Sequence, residues 1–463
     1  MNLMKPMPDT SIPTLESPYE GCYLITWEGG VRVLIDDLYE HRNLSLEADI
    51  TITDASEPLY PFLLGPVRTY IDKTWAAIVK DLESISEKDD WRQRLTWVTR
   101  LVKEHYKKGN PIESLSMIDT PPTVGEILSG IVWEHSPTLI YGGGGIGKSF
   151  LALLTGTSIH NGVFFAGHKA FQQNCLYLDW ETDISQTYYR GTSILEGLEI
   201  NNEKWPDPSA PDSNRGRQVF YRFMNRALMH DVRQLRRQVA ESNIGFVVID
   251  SAGPACGGEP ESSSATMKFF EALRAISPNP NSPLPTLILA HVSHDKLGRT
   301  GGHSSPFGSV FWNNMPRNTF ELDSLKIEGS RHIDFAVHHR KTNSGPDLPS
   351  VGYRLHFGRG ESNPVRIEQL EKLEGKLSKG EKYHIQAQKL IKNMGPMSID
   401  KLAQLIDPAT KAFLANQLIH TLDVNGSKMF ETFEDENDGK EKWRLTKTIN
   451  ESEDDDGDFQ LPF

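Results

Sequence analysis

The densest chemical signal in the chain is the stretch YGGGGIGKSF at residues 141–150. Gly142, Gly147, Lys148 and Ser149 satisfy G-x-x-x-x-G-K-[ST]. Gly143, Gly144, Gly145 and Ile146 lie between them, and Phe150 follows. Glycines take positive-φ conformations that turn backbone N–H groups inward onto an anion. A helix starting at Lys148 adds partial positive charge at its N-terminus. In such a loop the lysine reaches the β- and γ-phosphates and the hydroxyl ligates Mg²⁺. The pattern has false positives, so its flanks matter. Here PTLIY reads as a strand before it. KSFLALLTGTSIH reads as a helix after it, stopping at Asn161-Gly162. The segment 142–150 is therefore expected to hold a nucleoside triphosphate with Mg²⁺.

Such a site needs a second metal handle and a carboxylate that directs water. IGFVVID is β-rich and ends in Asp250, which with Ser149 would supply the metal ligands. Residue 251 is Ser, so the water-directing acid is not the one that follows Asp250. CLYLDWETD offers Glu181, 33 residues after Lys148, with Asp179 and Asp183 as competitors. Strand alternation puts Asp179 and Glu181 on one face and does not choose between them.

These residues need a frame. Between about 118 and 360, short apolar runs (PTLIY, CLYLDW, IGFVVID, PTLILAHV, HIDFAVHH) alternate with amphipathic stretches. That is the pattern of buried parallel strands separated by helices. Residues 1–115 read as a small α+β domain. It has a hairpin around Glu28-Gly29-Gly30, a strand at ADITITD, and helices at TYIDKTWAAIVKDLESI and WRQRLTWVTRLVKEHYKKG. Segment 361–380 reads as a linker. Residues 381–447 read as three helices and a β-hairpin, a winged-helix pattern, and 448–463 as an acidic disordered tail. No sequence repeat is evident.

The stretch from LIYGGGGIGKS through LYLDWE, FVVIDS, LILAHVSHDK, PFGSVFWNNMPR and HHRKTNSG resembles the RecA-like core of RepA-type and DnaB-type hexameric ATPases. It covers about half the chain and keeps the motif order. The resemblance implies an α/β fold: a RecA-like P-loop core with the small N-terminal and winged-helix domains attached. It implies a hexameric, ATP-hydrolysing helicase acting on single-stranded DNA, with Glu181 as catalytic base beside Lys148 and Asp250. His291 and Lys296 would lead into channel loops. Gly308, Ser309, Asn314 and Arg317 would sense nucleotide, although NNMPR departs from the DnaB-type pattern. Arg340 and Lys341 would form the finger that reaches a neighbouring subunit's phosphate.

Other segments leave alternatives open. VSHDKLGRTGGHSSPFG could track a nucleic-acid backbone through Lys296 and Arg299, or be a plain surface loop. Seven arginines fall at 215–237 against one acid, either a contact surface or a solvated helix face. The winged-helix segment is weakly basic in its third helix and acidic in its wing, which favours a protein contact over DNA. The tail EDDDGDFQLPF resembles the tip of bacterial single-stranded-DNA-binding protein. Asp458, Leu461, Pro462 and Phe463 would then recruit host replication or repair proteins; a solubilising end is the alternative.

Net charge is −13, with six acids and no base at 451–458, so any nucleic-acid contact must be local. Three cysteines lack metal-ligand spacing and suit a reducing cytoplasm. The N-terminal stretch lacks the apolar run of a signal peptide, and no segment is apolar enough to span a bilayer.

Overall fold

The computed structural model describes residues 12–19, 21–55, 62–71, 75–85, 90–109, 114, 125–198, 219–279, 282–292, 306–343, 348–358, 364–375, 377–406, 411–422, 427–436 and 438–446. In chain order the first elements are β1 (Thr14–Tyr19), β2 (Cys22–Thr26), β3 (Val31–Glu40), β4 (Leu46–Asp54), β5 (Phe62–Tyr70), α1 (Ala76–Ile85) and α2 (Trp91–Lys108). There follow β6 (Glu126–Leu128), β7 (Val132–Trp133), β8 (Pro137–Gly142), α3 (Lys148–Asn161), β9 (Asn174–Asp179), α4 (Ile184–Gly197), β10 (Phe220–Phe223), α5 (Val232–Glu241) and β11 (Ile244–Asp250). Next are α6 (Ala252–Cys256), α7 (Ser263–Ala275), β12 (Thr286–His291), α8 (Phe311–Asn314), β13 (Asn318–Lys326), β14 (His332–Thr342), β15 (Val351–Phe357) and β16 (Val365–Leu370). The last are α9 (Tyr383–Met394), α10 (Ile399–Leu405), α11 (Lys411–His420), β17 (Phe430–Glu434) and β18 (Glu441–Leu445).

The chain divides into two units. One gathers the chain up to Val124 with Leu228–Ile244 and Glu271–Leu284; the other holds the rest. In the first, β1 to β5 form an antiparallel sheet in sequence order. Alternation in β3 and β4 turns Val33, Ile35, Ile50 and Ile52 onto Leu95, Val98 and Val102 of α2. Gly30, at φ 96°, closes the β2–β3 hairpin. The expected helix from Thr69 starts later, because TYI completes and follows β5. Helix α5 also belongs to this unit. Its Arg233 pairs with Asp37 at 3.1 Å and with Asp49, and Arg237 with Asp36 at 3.4 Å. Two of the seven clustered arginines thus face acids of the sheet. Arg215 and Arg217 lie outside the described residues.

The second unit is built on a nine-stranded sheet ordered β10-β9-β11-β12-β8-β13-β14-β15-β16. The pairs β10–β9, β11–β12, β12–β8 and β8–β13 are parallel; β13 to β16 run antiparallel. HIDFAVHH, expected as another parallel strand, is the antiparallel partner of β13. The two are joined by a short turn with Gly329 at φ 76°, and a connection that short admits only a hairpin. The stretch expected to be a linker contains β16, whose Val365 is buried in the main core. Beyond it, α9 to α11 and the β17–β18 hairpin enclose a separate core including Leu402, Leu414, Leu418 and Trp443. No described helix is long and apolar enough to cross a membrane.

Candidate functional site

The phosphate-binding loop follows the buried strand β8. Gly142 admits no side chain: a Cβ there would lie 2.5 Å from the Leu322 carbonyl oxygen and 2.5 Å from Ile146 Cδ1. Gly145 (φ 66°) and Gly147 (φ 102°) take left-handed conformations that turn the chain into α3. Helix α3 packs along its length and ends at Gly162 in the left-handed cap. The Lys148 ammonium is buried and donates to the carbonyls of Gly142 at 3.0 Å and Gly143 at 2.7 Å. Burial lowers its pKa; the carboxylates of Glu181 and Asp250 partly offset this.

Asp250, at the end of β11, accepts the Tyr177 hydroxyl at 2.6 Å, and the Ser149 hydroxyl lies near enough to favour its ionised form. Burial raises its pKa, and the two hydroxyls oppose the shift. Ser149 and Asp250 thus set a hydroxyl and a carboxylate side by side at the helix N-terminus. They are hard oxygen donors of the kind Mg²⁺ takes.

The three acids at the end of β9 have separate tasks. Asp179 is completely buried. It accepts the N–H groups of Glu181 (2.9 Å) and Thr182 (3.0 Å), and the hydroxyls of Thr182, Thr187 and Tyr221. Asp183 caps α4 through the N–H groups of Ser185 and Gln186. Both are committed to holding the turn. The strand ends at Asp179, so alternation does not extend to residue 181. Glu181 instead leaves the turn and meets β11 and β12. Its Oε1 accepts the Ser251 hydroxyl at 2.5 Å and lies 3.4 Å from His291 Nε2. These contacts, His291 first and then Ser251, hold its pKa down to about 2.

Strand order explains this meeting. β12 lies between β11 and β8, and His291 at its end pairs with Gly142. The ends of four adjacent strands therefore carry Glu181, Asp250, His291 and the phosphate loop. Ser251, Tyr177 and Lys326 were not singled out by sequence. Lys326 reaches from the end of β13 to the Gly145 carbonyl. Tyr177 had a usable signal, since it lies two residues before Asp179 on the same buried strand.

Other expected residues lie elsewhere. The backbone at Gly308 approaches Pro260 so closely that a Cβ would sit 2.3 Å from its carbonyl, which Ser309 N–H and Trp312 Nε1 also bond. Arg340 keeps only 9% of its side chain exposed and pairs with the buried Glu321 at 2.7 Å. Lys341 donates to the carbonyls of Asn313, Asn314 and Pro316. Arg317 is tied through its N–H to Pro137. Lys296, Arg299, Asp458, Leu461, Pro462 and Phe463 lie outside the described residues. A cavity of about 380 Å³ opens beside Phe150, lined also by Tyr189, Arg190, Arg331 and Phe357. The Arg190 guanidinium sits 5.4 Å from the Phe150 ring centroid.

Residues 112–296 match a family described as AAA domain. No curated protein matches the chain. Among solved structures, a KaiC-like protein from the hyperthermophilic archaeon Pyrococcus horikoshii OT3 is similar at 15% identity and TM-score 0.33. The similarity covers 52% of this chain and 93% of that one. The matched segment includes the phosphate loop, Glu181, Asp250 and His291, so the residues that converge at the strand ends all fall within the part of the chain that is similar to AAA domains.

Proposed function

We propose that this chain is an ATP-hydrolysing motor acting on single-stranded DNA, a RepA-like replication or repair helicase of a mobile element working as a homo-oligomer, hexameric in its simplest form. The carrying observation is the convergence of Lys148, Ser149, Asp250 and Glu181 at adjacent strand ends. Lys148 would exchange its loop carbonyls for β- and γ-phosphate oxygens. Ser149 and Asp250 would hold Mg²⁺, whose charge neutralises the phosphates. Glu181 is ionised throughout the physiological range. It accepts hydrogen bonds and would orient water toward the γ-phosphate while Ser251 and His291 fix its carboxylate. The cavity between Phe150, Arg190 and Phe357 presents aromatic faces and a guanidinium, which suit a stacked purine.

The C-terminal module fits a winged helix that contacts protein. Its Lys442 is paired with Asp435 at 2.6 Å and Arg444 with Glu431 at 2.7 Å, leaving little net positive charge on the hairpin for phosphate. The acidic tail would recruit host proteins through Leu461, Pro462 and Phe463. The finger role asks Arg340 to leave Glu321, or Lys341 to release three carbonyls. That internal engagement favours a second reading, an ATP-switched scaffold or loader without unwinding activity.

Steady-state ATP hydrolysis with and without single-stranded DNA, with Lys148→Ala as the blank, separates the two. Strong stimulation, lost in the variant, supports the motor. Hydrolysis indifferent to DNA refutes it in favour of the switch.

A further inference from the structure

The acidity of the chain conceals one strongly cationic element. Helix α2 has the sequence WRQRLTWVTRLVKEHYKK, with six lysines and arginines against a single Glu104. One face buries Trp91, Leu95, Val98 and Val102 in the sheet core. Arg94 is also buried, its guanidinium 5.0 Å from the Trp27 ring centroid. The remaining charges point away from that core. At about 3.6 residues per turn, Arg92, Lys103, Lys107 and Arg100 fall within roughly 80° of arc, with Thr96 among them. Arg92, Thr96, Arg100 and Lys107 are exposed, and Lys103 is half-buried. The helix is about 27 Å long at ~1.5 Å per residue, so the stripe spans several nucleotides of an extended strand.

Two further observations say what this stripe fits. Within the same unit the other cationic helix, α5, has Arg233 and Arg237 paired with Asp36, Asp37 and Asp49, whereas α2 carries an ion pair of Arg100 with its own Glu104 at 2.8 Å. That pair is solvated, with Arg100 64% exposed, so it holds Arg100 only weakly. Along the stripe runs a groove of about 310 Å³, lined among the described residues by Asp90, Arg92, Gln93, Thr96, Trp97 and Arg100. Trp97 is half-buried, and the Arg100 guanidinium lies 5.5 Å from its ring centroid. Cations in a row with an aromatic face between them are what a single strand needs, since phosphates pair with the charges and a base stacks on the ring.

We infer that the α2 face of the N-terminal unit is a docking surface for single-stranded nucleic acid. Its test uses no nucleotide, so failure of DNA-stimulated hydrolysis leaves the inference untouched.

The experiment is fluorescence anisotropy of a labelled oligothymidylate titrated with the full chain over a range of salt. The variant is Arg92→Gln/Arg100→Gln/Lys107→Gln. The control is Lys401→Gln/Lys428→Gln/Lys440→Gln, which removes equal charge from exposed positions in the C-terminal module. Each phosphate contact on a single strand contributes about −0.7 to the slope of log K against log salt. The α2 variant should flatten that slope by about 2 and weaken binding roughly tenfold or more near physiological salt. The control should bind like the unaltered chain. A circular-dichroism melt confirms that both variants fold. Equal binding by the α2 variant overturns the inference, as does equal weakening by the control or no binding by the unaltered chain. Preference for a duplex competitor of the same length overturns the single-strand assignment.

Discussion

Substituting Ser251→Ala probes how Glu181 is held. The Ser251 hydroxyl donates to Glu181 Oε1 at 2.5 Å, while His291 stands at the longer distance of 3.4 Å. A hydrogen bond to a charged group is worth about 1.5–3 kcal/mol. The Glu181 side chain is 39% exposed, so water replaces much of the lost donor and the lower end applies. About 1.4 kcal/mol is a tenfold change, so kcat should fall roughly tenfold. The KM for ATP should hold, because the Ser251 hydroxyl is hydrogen-bonded to Glu181 rather than to the phosphate loop. The acid limb of the pH–rate profile should also move. Glu181 has a folded pKa depressed to about 2, below its ordinary carboxylate value. It is therefore ionised above that range and loses its function as pH falls toward 2. Removing one donor raises the folded pKa, so the acid limb shifts to higher pH. Glu181→Gln alone should abolish most turnover, and Ser251→Ala added to it should change nothing further, because the hydroxyl acts only through that carboxylate. Steady-state kinetics across pH on the three variants measure all of this. Additive losses in the double variant, or a raised KM with unchanged kcat, would refute the reasoning.

Two predictions concern stability. Gly142→Ala drives a Cβ against the Leu322 carbonyl and Ile146 and should cost about 1–3 kcal/mol; an unchanged melting temperature would show that the loop yields freely. Glu321→Ala leaves the Arg340 guanidinium buried without its partner and should cost about 3–5 kcal/mol in urea unfolding. Adding Arg340→Met should recover most of that, and failure to recover would mean the loss lies elsewhere.

Local chemistry made part of this protein legible. Glycines at 142, 145 and 147, a following lysine and hydroxyl, and a glycine stop at 162 are backbone requirements. A loop that must take positive φ and a helix that must end can be read from residue types alone. The strands whose cores are unbroken apolar runs were visible for the same reason. So were the hairpin at Gly30 and the three C-terminal helices, whose faces repeat at helical spacing.

What sequence could not decide is what depends on neighbours in space. Strand direction at β14 follows from its pairing with β13, and β16 joins the sheet although its exposed charges read as a linker. Spacing left Asp179, Glu181 and Asp183 equivalent. They separate because one is buried as the anchor of a turn, one caps a helix, and only Glu181 reaches residues 70 and 110 positions away. Arg340 reads as a projecting cation in one dimension and is a buried ion pair in three. Periodicity records which face is apolar; it carries no information on which distant charge will meet that face. Only the packed sheet, which brings four strand ends together, settles those pairings.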